Sequence, residues 1–227
     1  MILTKLGHAC VQLQAEGIRV VIDPGSVRDS PVLETADAIL VTHEHFDHFS
    51  ESRVRAALSR NASLQVWTVP TVAEALLDYG DRVHAVEDGE RFLAAGIPAR
   101  AHVRQHATVH PDVPGVLNAG FLLAGCVFHP GDSLTVPDVS IDTLLVPVHA
   151  SWLRVADLIE WVRAVEPRQA VGFHDSGLSR LGRAVVHGLL GPHGPGIGST
   201  YVRLEDGAPM VLPMPRDPVG EDLGTED

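Results

Sequence analysis

The densest chemistry in the chain lies in Thr42-His43-Glu44-His45-Phe46-Asp47-His48, at the end of an apolar run. His43 and His45 are two positions apart, so in extended chain they project to one side and can chelate one ion. Asp47 and His48 follow once the chain has turned and can serve a second ion nearby. Mixed imidazole and carboxylate donors suit zinc, iron or manganese better than calcium. A loop that merely caps the next helix would account for one histidine, not for so many ligand-type side chains together.

Three later segments add donors. Val127-Phe128-His129-Pro130-Gly131-Asp132 is a strand running into a tight glycine turn, which can present a carboxylate; an ordinary turn aspartate is the plain alternative. Gln169–Phe173 is an apolar strand that delivers His174 just before Ser176-Gly177, where a surface helix-capping histidine is the alternative. His102, His106 and His110 are spaced four apart, and the position after an apolar strand, beside Ala107, favours His106.

These donors need rigid elements behind them. Ala38–Thr42 is continuously apolar, as a strand covered on both faces should be. Ala9–Leu13 and Ile18–Asp23 read as a hairpin around Ala15-Glu16-Gly17. Ser50 is a suitable N-cap for a helix over Glu51–Arg60 that Asn61 closes. Further strands are expected at Leu64–Val69, Arg82–Val86, Ala99–Val103, Gly120–Leu123, Val127–Phe128, Thr143–Val148, Gln169–Phe173, Thr200–Leu204 and Pro209–Leu212. Helices are expected at Thr71–Tyr79, Leu153–Val165 and Ser179–Leu190. Strands dominate early and alternate with helices late, which suits helices covering the outer faces of strand layers. One domain over 1–212 is expected, followed by an acidic, proline-containing tail over 213–227 that reads as disordered.

Composition removes whole classes of function. The 227 residues carry 17 Lys+Arg against 29 Asp+Glu, a formal charge of −12, and Lys5 is the sole lysine. Such a chain lacks the basic footprint of a nucleic-acid binder. No apolar stretch is long enough to span a membrane, and the interrupted N-terminus does not read as a signal peptide. Cys10 and Cys126 are too few for a disulfide framework and read as small buried thiols. A cytoplasmic protein with a small-molecule substrate, and neither nucleic acid nor membrane as partner, is the expectation. The oligomeric state is not legible.

His43-X-His45-X-Asp47-His48 after an apolar strand resembles the signature of the metallo-β-lactamase superfamily. Within it, the chain looks most like the small metal-dependent hydrolases that group with ascorbate-6-phosphate lactonase. Gly7-His8-Ala9, Gln105-His106-Ala107, His129-Pro130-Gly131-Asp132 and Phe173-His174-Asp175 follow in the family's order. The resemblance implies an α/β protein with a four-layer αβ/βα sandwich, two mixed sheets flanked by helices, and metals at one edge. It puts His43, His45 and His106 on one metal, Asp47, His48 and His174 on a second, and Asp132 between them. The cofactors would be two divalent ions, zinc first, with manganese or iron as alternatives. His8 would orient the Asp47 or Asp132 carboxylate. His149, in Pro147-Val148-His149-Ala150-Ser151-Trp152, departs from the family's pattern; its place after a strand makes it a candidate to line the pocket as proton donor or binder.

The implied activity is dinuclear hydrolysis, a metal-bridging hydroxide attacking a small ester, lactone or phosphodiester while Asp47 orients it. No protein nucleophile is needed. Relatives that reduce oxygen at a di-iron site typically carry Glu where this chain has His45, so an iron oxidoreductase is the weaker reading. A non-catalytic metal-binding or regulatory member is the other alternative. Arg100, Arg104, Arg154 and Arg180 are candidates for holding a phosphate or carboxylate on the substrate.

Overall fold

The computed structural model describes residues 1–27 and 31–213, so the tail read from the sequence lies, beyond Pro213, outside the described residues. Among the described residues, fourteen strands form two seven-stranded sheets. The first holds, in spatial order, β14 (Pro209–Val211), β1 (Ile2–Gly7), β2 (Cys10–Ala15), β3 (Ile18–Ile22), β4 (Ala38–Val41), β5 (Gln65–Thr68) and β6 (Val83–Ala85). The second holds β13 (Thr200–Arg203), β12 (Gln169–Phe173), β11 (Thr143–Pro147), β10 (Val127–His129), β9 (Leu117–Leu123), β8 (Ile97–Gln105) and β7 (Arg91–Ala94). Both are mixed: β3 to β6 and β10 to β13 run parallel, and the other pairs are antiparallel.

Strand alternation builds the layers. Phe121, Leu123, Val127, Leu145 and Val171 of the second sheet join a core with Leu13, Val21, Ile39 and Val66 of the first. Their sequence neighbours Leu122, Phe128, Leu144 and Ala170 face the other way. That outer face is covered by α3 (Val155–Val165), which buries Leu158, Ile159, Trp161, Val162 and Val165, and by α4 (Arg180–Leu190), which buries Val186 and Leu190. On the first sheet, α1 (Glu51–Arg60) buries Val54, Ala57 and Leu58, and α2 (Pro70–Ala75) buries Val72. Phe121, Phe128 and Phe173 are fully buried, and each contributes roughly 1.5–3 kcal/mol by leaving water. The four-layer sandwich expected from the resemblance is what the chain forms.

The departures have local causes. The first hairpin turns through Glu16-Gly17 alone, both at positive φ, as a two-residue turn between paired Ala15 and Ile18 requires. Ser50 sits at the N-cap of α1, but its side chain caps nothing; its backbone N–H donates to Pro24 instead. The helix expected over Thr71–Tyr79 ends at Ala75 and gives way to a 3₁₀ stretch, Leu77–Arg82, broken by Gly80. Strands β1 and β7 had no counterpart in the sequence reading. Cys126 is buried as expected; Cys10 is only partly covered.

Candidate metal centre

The parallel strands β3, β4, β10, β11 and β12 end at one edge of the sandwich, the position where sheets of this kind present their chemistry. Asp23 follows β3, His43 to His48 follow β4, Asp132 follows β10, His149 follows β11 and His174 follows β12. His106 follows β8, and His8 occupies the β1–β2 turn. The centre is therefore assembled from both sheets.

His43, His45 and His106 form one nest of donor atoms, with His43 Nε2 3.1 Å from His45 Nδ1. His48 and His174 form a second, their Nε2 atoms 3.1 Å apart. Asp132 lies between: Oδ1 is 3.3 Å from His48 Nε2 and 3.4 Å from His174 Nε2, while Oδ2 is 3.4 Å from His106 Nε2. Asp47 Oδ2 joins the second nest, 3.6 Å from His174 Nε2 and 3.9 Å from His48 Nε2. It also accepts a hydrogen bond from His8 Nε2 at 3.0 Å. His8 thus touches a site carboxylate, that of Asp47.

The surroundings fix which ring nitrogen faces inward. His48 Nδ1 donates to Asp23 Oδ2 (2.7 Å), His174 Nδ1 to the His149 carbonyl (2.6 Å), and His106 Nδ1 to the Ala107 carbonyl (2.6 Å). Thr42 Oγ1 donates to Asp23 Oδ2 at 2.8 Å and so accepts from His43 Nδ1 at 2.9 Å. With these protons placed outward, Nε2 lone pairs face one another across about 3 Å, as oriented metal-ligating histidines do. His106 Nε2 and Asp132 Oδ1 are buried without a hydrogen-bond partner. Such a set of facing acceptors fits a cation and little else.

Charge points the same way. Burial and the neighbouring imidazoles drive His43 down, so its ring is neutral. Burial alone would raise the two carboxyls. The neighbouring His174 ring and the bond from His8 nevertheless hold Asp47 well below the usual range, and the His48 and His106 rings do so for Asp132. Burial also opposes a charge on His48, yet Asp132 and Asp23 raise it well above the ordinary histidine value. The carboxylates thus favour positive charge in this pocket, a charge the His48 ring carries until a cation takes the place of its proton.

The backbone is strained where it delivers donors. His8, Asp23 and His174 adopt left-handed φ of 49°, 52° and 59°, each costing on the order of 1 kcal/mol or more for a non-glycine residue. Gly25 passes so close to the metal-binding loop that a Cβ there would lie 2.0 Å from the Asp47 carbonyl oxygen. Asn118, fully buried, donates to the Pro130 carbonyl and accepts from Asp132 N–H, which pins the Asp132 turn. Behind His174, the Lys5 ammonium (3% exposed) contacts Asp175 at 2.7 Å and Asp206 at 3.0 Å.

His8, His45, Asp47, His106, Asp132 and His174 form the floor of a cleft of about 220 Å³ whose walls are Val109, His149, Ala150, Ser151 and Trp152. Trp152 Nε1–H donates to Asp132 Oδ2 at 3.0 Å. His102 instead packs its ring on Phe128, His110 is exposed, His84 stacks on Trp67, and His187 bonds Tyr201. Arg100, Arg104 and Arg154 are paired with Asp138, Asp88 and Asp157, Arg180 is exposed, and none of the four lines the cleft. Burial pushes the Cys10 thiol up to about 12 and Cys126 to about 11, so neither offers a thiolate. A larger cleft between Pro31–Thr35 and α1 holds none of these groups.

Asp23 and Trp152 had no role in the sequence reading. Asp23 ends a buried strand in Ile22-Asp23-Pro24-Gly25, a position at which an acid without exposure signals a partner. Nothing in the residues around Trp152 announces its bond to Asp132, which lies 20 positions away.

The sequence model of the beta-lactamase superfamily domain matches residues 2–174. Protein Rv0786c of Mycobacterium tuberculosis is 31% identical over 84% of this chain and 91% of its own length. A UPF0173 metal-dependent hydrolase of Aeropyrum pernix is 29% identical over 76% of this chain and 81% of its own length. Among solved structures, Igni18, a novel metallo hydrolase from Ignicoccus hospitalis, superposes with a TM-score of 0.65 at 16% identity, covering 92% of this chain and 97% of that one. CmlA, a diiron β-hydroxylase from Streptomyces venezuelae, gives 0.64 at 19% identity, over 90% of this chain and 52% of that one. At such identities both structures speak for the fold alone. No helix among the described residues is long and apolar enough to cross a membrane.

Proposed function

The chain belongs to the beta-lactamase superfamily, and from that premise we propose that it is a metal-dependent hydrolase of a small ester, lactone or phosphodiester. The observation that carries this reading is the position of Asp132, one carboxylate oxygen toward each nest of imidazoles. His43, His45 and His106 would hold one cation and Asp47, His48 and His174 the other, with Asp132 shared. Zinc suits these donors best, with manganese or iron as alternatives. Divalent cations held by these residues would supply a nucleophilic water near neutral pH and polarise the substrate's oxygen.

The chain's own residues do the rest. Asp47, kept anionic and anchored by His8 Nε2–H, orients the attacking water. Asp23, Thr42 and the carbonyls of Ala107 and His149 hold the imidazoles in one tautomer each. His149, on the wall of the cleft, would hand a proton to the leaving oxygen. With one lysine and 17 basic residues in all, the chain is better suited to a small substrate in the cytoplasm than to nucleic acid. One domain spanning 1–212 suffices for all of this.

Metal content and turnover, measured on the same preparation, test the proposal. Two divalent ions per chain and metal-dependent hydrolysis are expected, and His45→Ala or Asp132→Ala should abolish turnover in a folded protein. Metal without turnover of any ester, lactone or phosphodiester would favour the non-catalytic reading. Iron with oxygen consumption would favour the oxidoreductase reading.

A further inference from the structure

Three of the five wall residues above the candidate ligands, Val109, Ala150 and Trp152, are apolar, and the other two, His149 and Ser151, are polar but carry no fixed charge. Val109 is 45% exposed at the rim, Ala150 and Trp152 continue the apolar surface, and Phe46, between two residues of the floor, is 72% exposed. Among the described residues no lysine or arginine lines this cleft, and Arg100, Arg104 and Arg154 are engaged with carboxylates elsewhere. Trp152 is also held rigid. Its N–H is committed to Asp132, and its ring meets His106 edge-on at 6.2 Å and 77°, so it offers the cleft carbon surface in a fixed orientation.

We infer that the cleft takes an uncharged carboxylic ester or lactone, its carbonyl toward Asp132 and its apolar part against Trp152 and Val109. This rests on the hydrolase reading and narrows its substrate class. A volume of about 220 Å³ lies below the range of roughly 300–1,000 Å³ typical of drug-sized ligands, so the molecule is small. An acyl compound with a phosphate or carboxylate on its tail would bring an anion against Trp152 and Val109, whereas a phosphodiester carries its charge at the reacting centre itself. Against those walls the described residues offer such a tail no guanidinium or ammonium to replace its lost water. The reaction balances with water alone. The acyl C–O bond breaks, a new C–O bond forms to the water oxygen, and the departing alkoxide takes a proton; a lactone gives a hydroxy acid.

The test compares three esters on the metal-loaded protein: p-nitrophenyl butyrate, mono-p-nitrophenyl succinate and bis(p-nitrophenyl) phosphate. The first two differ little in size but by one charge. A kcat/KM for the butyrate roughly 10- to 200-fold above the other two is expected. Val109→Arg, at an exposed site, should narrow or invert the butyrate-to-succinate ratio, mainly through KM. Independently of turnover, butyranilide should blue-shift the tryptophan emission of the wild type and not that of Trp152→Phe. Preference for the succinate or the phosphate, or an emission indifferent to butyranilide, overturns this inference and leaves the hydrolase reading standing. Turnover of none of the three overturns the hydrolase reading, and the inference with it.

Discussion

Asp23→Asn removes a single charge at a fully buried residue. The carboxylate accepts Thr42 N–H at 2.7 Å on Oδ1, and Thr42 Oγ1–H at 2.8 Å and His48 Nδ1–H at 2.7 Å on Oδ2. An amide can place its oxygen on one side only. If the NH2 faces Thr42 N–H, two donors collide; if it faces His48, the imidazole must accept at Nδ1 and carry its proton on Nε2. That second tautomer aims N–H at Asp132, and the ring can no longer ligate. Hydrogen bonds to a charged acceptor contribute about 1 kcal/mol more than neutral ones, so three of them make the stability loss about 3 kcal/mol. Loss of an outer partner of a ligating histidine typically weakens metal binding roughly 10- to 100-fold. Chemical unfolding with the metal chelated measures the first effect, and competition titration with a chromogenic chelator measures the second. The weakening should fall on the ion held by His48 and His174, leaving the His43, His45 and His106 site near its wild-type affinity. Two ions bound within twofold of wild type by Asp23→Asn would refute the tautomer argument.

Lys5→Met strips a buried ion pair of its cation. Leaving Asp175 unpaired should cost about 3 kcal/mol in urea unfolding at neutral pH, the low end of the usual range because Asp206 keeps contact with water. Burial alone would raise the Asp175 carboxyl, but Lys5 holds it below its ordinary value. The gap between wild type and Lys5→Met is therefore full above about pH 4 and should close as pH falls through the depressed folded value. Gly25→Ala would drive a methyl into the Asp47 carbonyl and the His48 N–H, and metal titration should show a loss of affinity. Chelation should lower the melting temperature by roughly 5–10 °C for each ion removed, at cation levels 100-fold above Kd, from about 2.7 kcal/mol of linkage per site and 2–4 °C per kcal/mol. Re-addition of zinc or manganese should restore it, and an unchanged melting curve would show that no ion was held.

Much of this was legible because periodicity and residue type agreed. Ala38–Val41 is apolar throughout and buried throughout, Glu51–Arg60 and Gln169–Phe173 have the boundaries expected of them, and His106 is the member of its trio that meets the other ligands. Strand β1 was hidden by its own function. Its inward positions are Leu3, Lys5 and Gly7, so the alternation that marks a half-buried strand is spoiled by a lysine whose partners lie 170 and 201 positions away. Strand β7 is a short edge strand with one buried residue, too little pattern to register. The supports of the site were missed for a different reason. Asp23, Trp152 and the Ala107 and His149 carbonyls matter through distances between segments, which no local pattern encodes.

The burial of Lys5 gives the protein an internal clock. Every other basic side chain is a guanidinium or an imidazole, so this is the one side-chain amine in the sequence, sealed between Asp175 and Asp206. Acylating reagents that decorate the surface lysines of most proteins find none here. Lys5 can be modified only when β1 lifts away from Asp175, beside His174. The rate of that one acylation, followed by mass, therefore counts the openings of the strand behind the metal centre, without a label, a probe or an engineered residue.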